Sequence, residues 1–571
     1  MNPLKAISAL VLSLGLVLVA TQVPAGAADD KADKKAKRKK LLEAKKAKGD
    51  EVPKPVVTVG AKPAPTNIQP PKTPARPMAT AALAGVIDRG IDTRLEQAMI
   101  KPSGDATDAE FLRRAYLDIA GVIPPADKAV AFLDDKSPDK RARLVDELLR
   151  HPGFGKRMGD IWTTLMYPID SDNRFVSKAP LREWLTDEFN NNRPWDQMAY
   201  ELITATGEVD KGATVYAMSN RGVDKMTDSV GKLFLGQQIQ CAQCHNHPFT
   251  SYKQTEYWGL AQFFYKVNVS NPRAAKDGGT ITVSEEGRVN RKINPLPEAA
   301  KEVTAKYLGG DTIRLDPAKP YRPVLAQWVA SPSNPYFAKA FVNRLWAQYF
   351  GRGFVHPVDD MSRENEPTHP ELLAALAKEF ADSGFDVKHL VRGICNSKAY
   401  QRTSKPAGDN RDDRTLFSHQ AIKVLSGEQL YDSLVSVVGS PGNPNRPAPK
   451  AAPKGGPQGP RDQFALFFAG TENAPPTEYE AGIPQALRLM NGPLMAAGRM
   501  SAVAAKVGDV SKTSPPPQVI EKLYLTAFAR RPTADETKRM TDFVAKAADP
   551  RSGYGDVLWV LLNSSEFALN R

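Results

Sequence analysis

Thr107-Asp108-Ala109-Glu110-Phe111-Leu112-Arg113-Arg114-Ala115-Tyr116-Leu117 reads as the start of a helix. Thr107 and Glu110 stand three residues apart as a capping box, and the apolar residues that follow recur at helical spacing. The same signals return along the chain. Ser137-Pro138 predicts a helix whose Leu144, Val145, Leu148 and Leu149 share one face and which His151-Pro152-Gly153 ends. Residues 181–189, 336–350, 371–380, 519–529 and the run from Thr533 read likewise, with Thr368/Glu371 and Thr533/Glu536 as further capping boxes. The expected fold is mainly α and multi-helical, in two or three domains. A small β excursion is expected near 268–296, where Gly278-Gly279-Thr280-Ile281-Thr282-Val283 and Gly287-Arg288-Val289 suggest a hairpin or an extended connector.

Composition divides the chain. Lys5, the apolar run 7–19 and the small residues Ala25-Gly26-Ala27-Ala28 predict a secretory signal peptide over 1–28, the run being too short for a spanning helix. A basic, Pro-rich disordered tether follows over 29–80. Helical segments are expected over 81–267, 331–438 and 463–571, separated by a connector at 268–330 and a Pro/Gly-rich linker at 439–462. Of the formal net charge of +13, residues 29–76 carry +8 (fourteen Lys/Arg, six Asp/Glu) and residues 77–571 only +4. A nearly balanced folded part argues against nucleic acid as a partner, whereas the tether suits contact with an anionic surface.

Function is signalled by Cys241-Ala242-Gln243-Cys244-His245, the attachment pattern of c-type haem, in a chain with three cysteines and seven histidines. On one helical turn the two thiols and the imidazole share a face, so Cys241 and Cys244 would form thioethers to one haem c and His245 would be its proximal iron ligand. Candidates for the distal position are His369, His356 and Met226, with His389 and His419 behind them, and an open or water-occupied position stands beside these. His247 sits too close to His245 to reach the opposite face of the ring and reads as a supporting group. Phe249, Tyr252, Tyr257, Trp258, Phe263, Phe264 and Tyr265 surround the motif as a haem-shielding shell or an ordinary aromatic core. Two other readings of the cysteines stand open: a zinc site of Cys241, Cys244, His245 and His247, and a redox-active or structural disulfide. Cys395, in an apolar run, reads as a small buried hydrophobe. Asp359, Asp360, Glu364, Glu366 and Glu371 gather carboxylates that could hold calcium or do acid/base work, with a solvated loop as the simpler account. Asp170-Ser171-Asp172-Asn173 has calcium-like spacing but lacks the glycine and final glutamate of the familiar loop. No phosphate-binding glycine loop, Gly-x-Ser-x-Gly elbow or His-Glu-x-x-His helix is present in the sequence.

Further stretches add a resemblance. They are Arg113-Arg114-Ala115-Tyr116-Leu117-Asp118-Ile119-Ala120-Gly121, Asn192-Arg193-Pro194-Trp195-Asp196 and Leu235-Gly236 leading into Cys241–Phe249. Downstream come Asn334-Pro335-Tyr336-Phe337, Val342-Asn343-Arg344-Leu345-Trp346, Phe350-Gly351-Arg352-Gly353, His369-Pro370-Glu371-Leu372, Gln485-Ala486-Leu487, Met490-Asn491-Gly492 and Leu561–Phe567. From about residue 90 to 571 the chain resembles the two-part planctomycete family of unknown function, a cytochrome-c-like domain followed by its partner surface domain. The resemblance implies an exported, haem-c-containing envelope protein, with no reaction or substrate. The chain departs from many relatives in having a single Cys-x-x-Cys-His motif and no cysteine in Ala474-Pro475-Pro476-Thr477-Glu478-Tyr479. The functional expectation is one haem c per chain, electron transfer with an envelope redox partner, and a periplasmic or cell-surface location. The alternatives are a haem enzyme, such as a peroxidase or dehydrogenase subunit, and a non-haem surface scaffold or ligand-binding protein.

Overall fold

The computed structural model describes residues 77–168, 177–209, 212–270, 280–285, 297–439, 459–468, 489–508 and 515–571. The signal segment, almost all of the tether, Asp170–Asn173, most of the β excursion, nearly all of the Pro-rich linker, Ala474–Tyr479 and Gln485-Ala486-Leu487 lie outside these residues. Helices dominate the rest. The first part contains α1 (Thr80–Gln97), α2 (Asp108–Ala115), α3 (Ala126–Asp134), α4 (Lys140–Arg150), α5 (Gly153–Met166), α6 (Ala179–Asn190), α7 (Trp195–Thr204), α8 (Ala213–Ser219), α9 (Val223–Phe234) and α10 (Gln254–Ala261). Then come α11 (Arg322–Val329), α12 (Phe337–Phe350), α13 (Pro370–Asp382), α14 (Val387–Asn396), α15 (Lys398–Gln401) and α16 (Gly427–Val438). The last part holds α17 (Pro460–Phe468), α18 (Ala497–Val507), α19 (Pro516–Phe528), α20 (Ala534–Ala545), α21 (Pro550–Leu562) and α22 (Ser565–Ala568). The fold is mainly α. Among the described residues no helix is long and apolar enough to cross a membrane.

Sheets are minor. The described part of the β excursion gives β2 (Asn268–Val269) and β3 (Thr282–Ser284), antiparallel, with β1 (Gly207–Glu208) on the other edge of β3. β4 (Lys423–Val424) pairs with β5 (Leu569–Asn570). Glu285, one residue past β3, is buried and fixes the start of α11: it accepts from the backbone N–H groups of Tyr321 and Arg322 at 2.7 and 2.8 Å and from Arg322 Nε at 2.8 Å.

Cap chemistry explains where prediction and structure part. Thr533 and Glu536 bond reciprocally, as the capping box requires. Thr107 accepts from the Glu110 N–H at 3.3 Å, but the Glu110 carboxylate turns away to Arg114, Thr403 and the N–H of Ser404. A charge-assisted bond to the fully buried Arg114 outweighs one to an N–H that water can satisfy. The box expected at Thr368/Glu371 does not form. The N-cap is His369, which makes no side-chain cap, and the Thr368 hydroxyl bonds His369 Nδ1 instead. The helix expected from Ser137-Pro138 starts later, at Lys140, because Ser137 bonds Asp135.

Two hydrophobic cores organise the helices. The larger runs from Leu83 to Phe417 with a few late residues, so the segments expected as 81–267 and 331–438 share it. Its centre is aromatic: Trp195 packs on Trp162 at 4.4 Å and Phe341 at 4.8 Å, and Phe341 stacks on Phe380 at 4.8 Å. Cys395 is completely buried, and burial pushes its thiol well above the ordinary range, as fits a small hydrophobe. The second core collects α16 to α22, with Leu117 and Ile123 reaching in from the first part.

A buried polar network ties the N-terminal part to the rest. Arg114 donates to the carbonyls of Tyr400, Arg402 and Arg571 as well as to Glu110. Arg113 donates to the carbonyls of Ala527, Glu566 and Phe567. Asp118, in a π-helical turn that follows α2, accepts from Lys423 Nζ at 2.6 Å, Asn570 Nδ2 at 2.7 Å and the Tyr400 hydroxyl at 2.9 Å. The Arg113–Gly121 stretch is therefore a structural hub whose partners lie hundreds of residues away.

Candidate functional site

The Cys-x-x-Cys-His turn is built at the end of α9. That helix closes with Gly236 in the left-handed conformation, φ +64°, after which the chain reverses. A Cβ at this glycine would stand 2.8 Å from Met361 Sδ and 3.1 Å from Ala340 Cβ. Gly236→Ala is expected to cost about 1–3 kcal/mol, from left-handed strain plus displacement of Met361, read as a lowered urea midpoint.

From Gly236 the approach to the motif is pinned to the loop after α12. Met361 N–H donates to the Gly236 carbonyl at 2.8 Å, Gln237 Nε2 donates to the Met361 carbonyl at 3.0 Å, and Gln238 Nε2 to Asp359 at 2.8 Å. The Tyr252 hydroxyl completes this brace with a 2.5 Å bond to Gln237 Oε1. Asp359 is thus engaged as a buttress, and among the described residues no three His, Cys, Asp or Glu side chains converge as a metal site.

Gln240–Gln243 forms a 3-10 turn that continues into Cys244. Ala242 is buried beneath it, while Cys241, Cys244 and His245 are exposed, and both thiols are free. The turn is held from below by α10. Trp258 Nε1 and Gln254 Nε2 both donate to the Gln243 carbonyl at 3.1 Å, and Gln254 Nε2 donates to the Cys244 carbonyl at 2.8 Å. These anchors, with Gln237 and Gln238, carry no spacing signal that would mark them in the sequence.

The two histidines differ in chemistry. His245 Nδ1 lies 2.7 Å from the Asn246 carbonyl, an acceptor only, so the neutral ring carries its proton on Nδ1 and leaves the Nε2 lone pair available. His247 Nδ1 accepts from the backbone N–H groups of Phe249 and Thr250 at 3.2 and 3.1 Å, which puts its proton on Nε2. Ligation through His247 would set a protonated Nδ1 against two N–H donors. His247 therefore caps the turn, and the four-ligand zinc set loses one member.

Of the aromatic shell, Tyr257, Trp258, Phe263, Phe264 and Tyr265 are buried in the core. Phe249 is different: it is 82 % exposed, on the same loop as the motif. The distal candidates are dispersed. Met226 is buried within α9, and His389 is buried against Glu379 at 2.8 Å. His369 is 1 % exposed between Phe354 and Phe417, and burial lowers its pKa to about 4. His356 and His419 line a separate cleft.

Behind the motif, Asp228 of α9 sits beside the hydroxyl of Tyr257 of α10, its Oδ1 buried without a hydrogen-bond partner. Burial raises this carboxyl to about 7, opposed by the Lys232 charge and aided by that of Asp224. The unfolded chain releases the proton near pH 4 and the folded chain only near pH 7, so stability falls as pH rises through that window. Asp228→Asn is expected to be more stable than the parent at pH 8 by about 2–4 kcal/mol and equal to it at pH 3.5, by denaturant titration at both values.

Fold and site together define a mainly helical protein presenting a Cys-x-x-Cys-His turn on its surface, braced across two segments of the chain. Those segments coincide with known families. Residues 86–269 match PSCyt2, a protein of unknown function (DUF1549), and residues 321–463 match PSD1, a protein of unknown function (DUF1553). The chain carries this cytochrome-like and C-terminal pair of domains. No curated protein and no solved structure matches it.

Proposed function

We propose that the protein is an exported c-type haem protein, with one haem c per chain, that exchanges single electrons with an envelope redox partner. The observation that carries this reading is the 2.7 Å contact of His245 Nδ1 with the Asn246 carbonyl, which leaves Nε2 as the lone-pair nitrogen of the neutral ring in a turn that also carries two free, exposed thiols. That donor set fits the group, and Phe249 supplies an apolar surface next to it. Cys241 and Cys244 would hold the ring and His245 the iron, while Gln254 and Trp258 keep the turn's carbonyls engaged below. When bound, a c-type haem supplies a one-electron iron couple. An exposed motif favours exchange with a docking protein over chemistry in a closed substrate pocket, which is why electron transfer is preferred to a haem enzyme.

The test is a pyridine haemochrome spectrum and haem staining on a denaturing gel, for protein made in a host with c-type maturation machinery. A c-type band surviving denaturation, one per chain, is expected. A folded, mature protein without it would overturn the reading in favour of a non-haem scaffold.

A further inference from the structure

Many arginines of this fold are engaged by carboxylates or carbonyls: Arg113, Arg114, Arg322, Arg402 and Arg461 all make short bonds. Three others behave differently. Arg352, Arg411 and Arg414 line one open cleft of about 670 Å3, and among the described residues none of them makes an ion pair or a hydrogen bond. Arg352 Nε is buried without a partner. Its position just after α12 allows a favourable interaction with the helix C-terminus. That account does not extend to Arg411 and Arg414, which lie in the 404–422 segment.

The cleft's carboxylate makes no direct bond to them. Asp413 accepts from the N–H groups of Thr415, Leu416 and Ser418, so its oxygens are committed to shaping the loop. Among the described residues none of the three guanidinium groups is held by a direct carboxylate contact, so their donors are open to a ligand that brings negative charge. Forked guanidinium donors match the paired oxygens of carboxylate, sulfate or phosphate. Phe417 and the half-exposed Ile422 add apolar wall, and the volume lies within the range of small-molecule sites.

We infer that this cleft is a binding site for a small polyvalent oxyanion, gripped by Arg352, Arg411 and Arg414. It is separate from the Cys-x-x-Cys-His turn and independent of whether that turn carries haem. It also gives a role to Phe350-Gly351-Arg352-Gly353, which the motif on the first part leaves unexplained.

The experiment is isothermal titration of the full chain at low ionic strength with citrate, inorganic pyrophosphate and sulfate as separate probes. At least one is expected to bind with a dissociation constant below about 1 mM and to weaken with added salt; the tightest identifies the oxyanion class. Arg411→Gln/Arg414→Gln is expected to weaken that binding at least about tenfold, and adding Arg352→Gln to abolish it. Because Arg411 and Arg414 are exposed and unpaired, the double variant should keep the parent's thermal midpoint, which makes its loss of binding interpretable on its own. No binding of any probe at millimolar concentration, or equal affinity in the double variant, overturns the inference.

Discussion

Replacing Cys241 and Cys244 together by alanine is expected to abolish covalent haem staining while leaving the fold intact. Both side chains are exposed and free, so their truncation removes no packing; surface changes of this kind stay within about 0.5 kcal/mol. The turn's anchors come from backbone carbonyls of Gln243 and Cys244, which the substitution keeps. Loss of stain with an unfolding curve unchanged from that of the haem-free parent would therefore report attachment chemistry rather than misfolding. His245→Ala should act differently: the thioethers still form, the proximal nitrogen is lost, and the visible spectrum shifts. Cys395→Ala serves as the control, since that thiol is buried and should leave staining unchanged at a modest cost in stability. Staining that survives in the double alanine variant would sink the proposal.

The largest effect on folding is expected at Asp118. Its carboxylate receives Lys423, Asn570 and Tyr400, and Lys423 is itself buried, with further bonds only to the carbonyls of Gln348 and Tyr349. Asp118→Ala leaves that ammonium uncompensated in the interior, for which about 3–5 kcal/mol is the characteristic loss. Asp118→Asn, which retains an acceptor but not the charge, should lose less. Because the network joins the π turn after α2 to β4 and β5, the loss should appear as one cooperative transition moved to lower urea, without early release of the last helices. A loss below about 1 kcal/mol would mean that water replaces these bonds and that the network is not a hub.

What the sequence determined by itself is local. Helix positions followed from apolar residues three and four apart and from caps such as Thr533/Glu536, because both act within one or two turns. The Cys241–His245 spacing likewise suggests its chemistry from within one turn, before any fold is known. What only the tertiary structure decided depends on partners far along the chain. Glu110 abandons its cap for Arg114, Thr403 and Ser404; His247 becomes a cap on the Phe249 and Thr250 amides. His369 vanishes between two phenyl rings, and Asp359 is engaged by Gln238. The arginine cleft belongs to the same class, joining Arg352 to Arg411 and Arg414 across some sixty residues. Which charges find counter-ions, and which are left open for a ligand, is set by how distant segments pack, and no residue spacing encodes that.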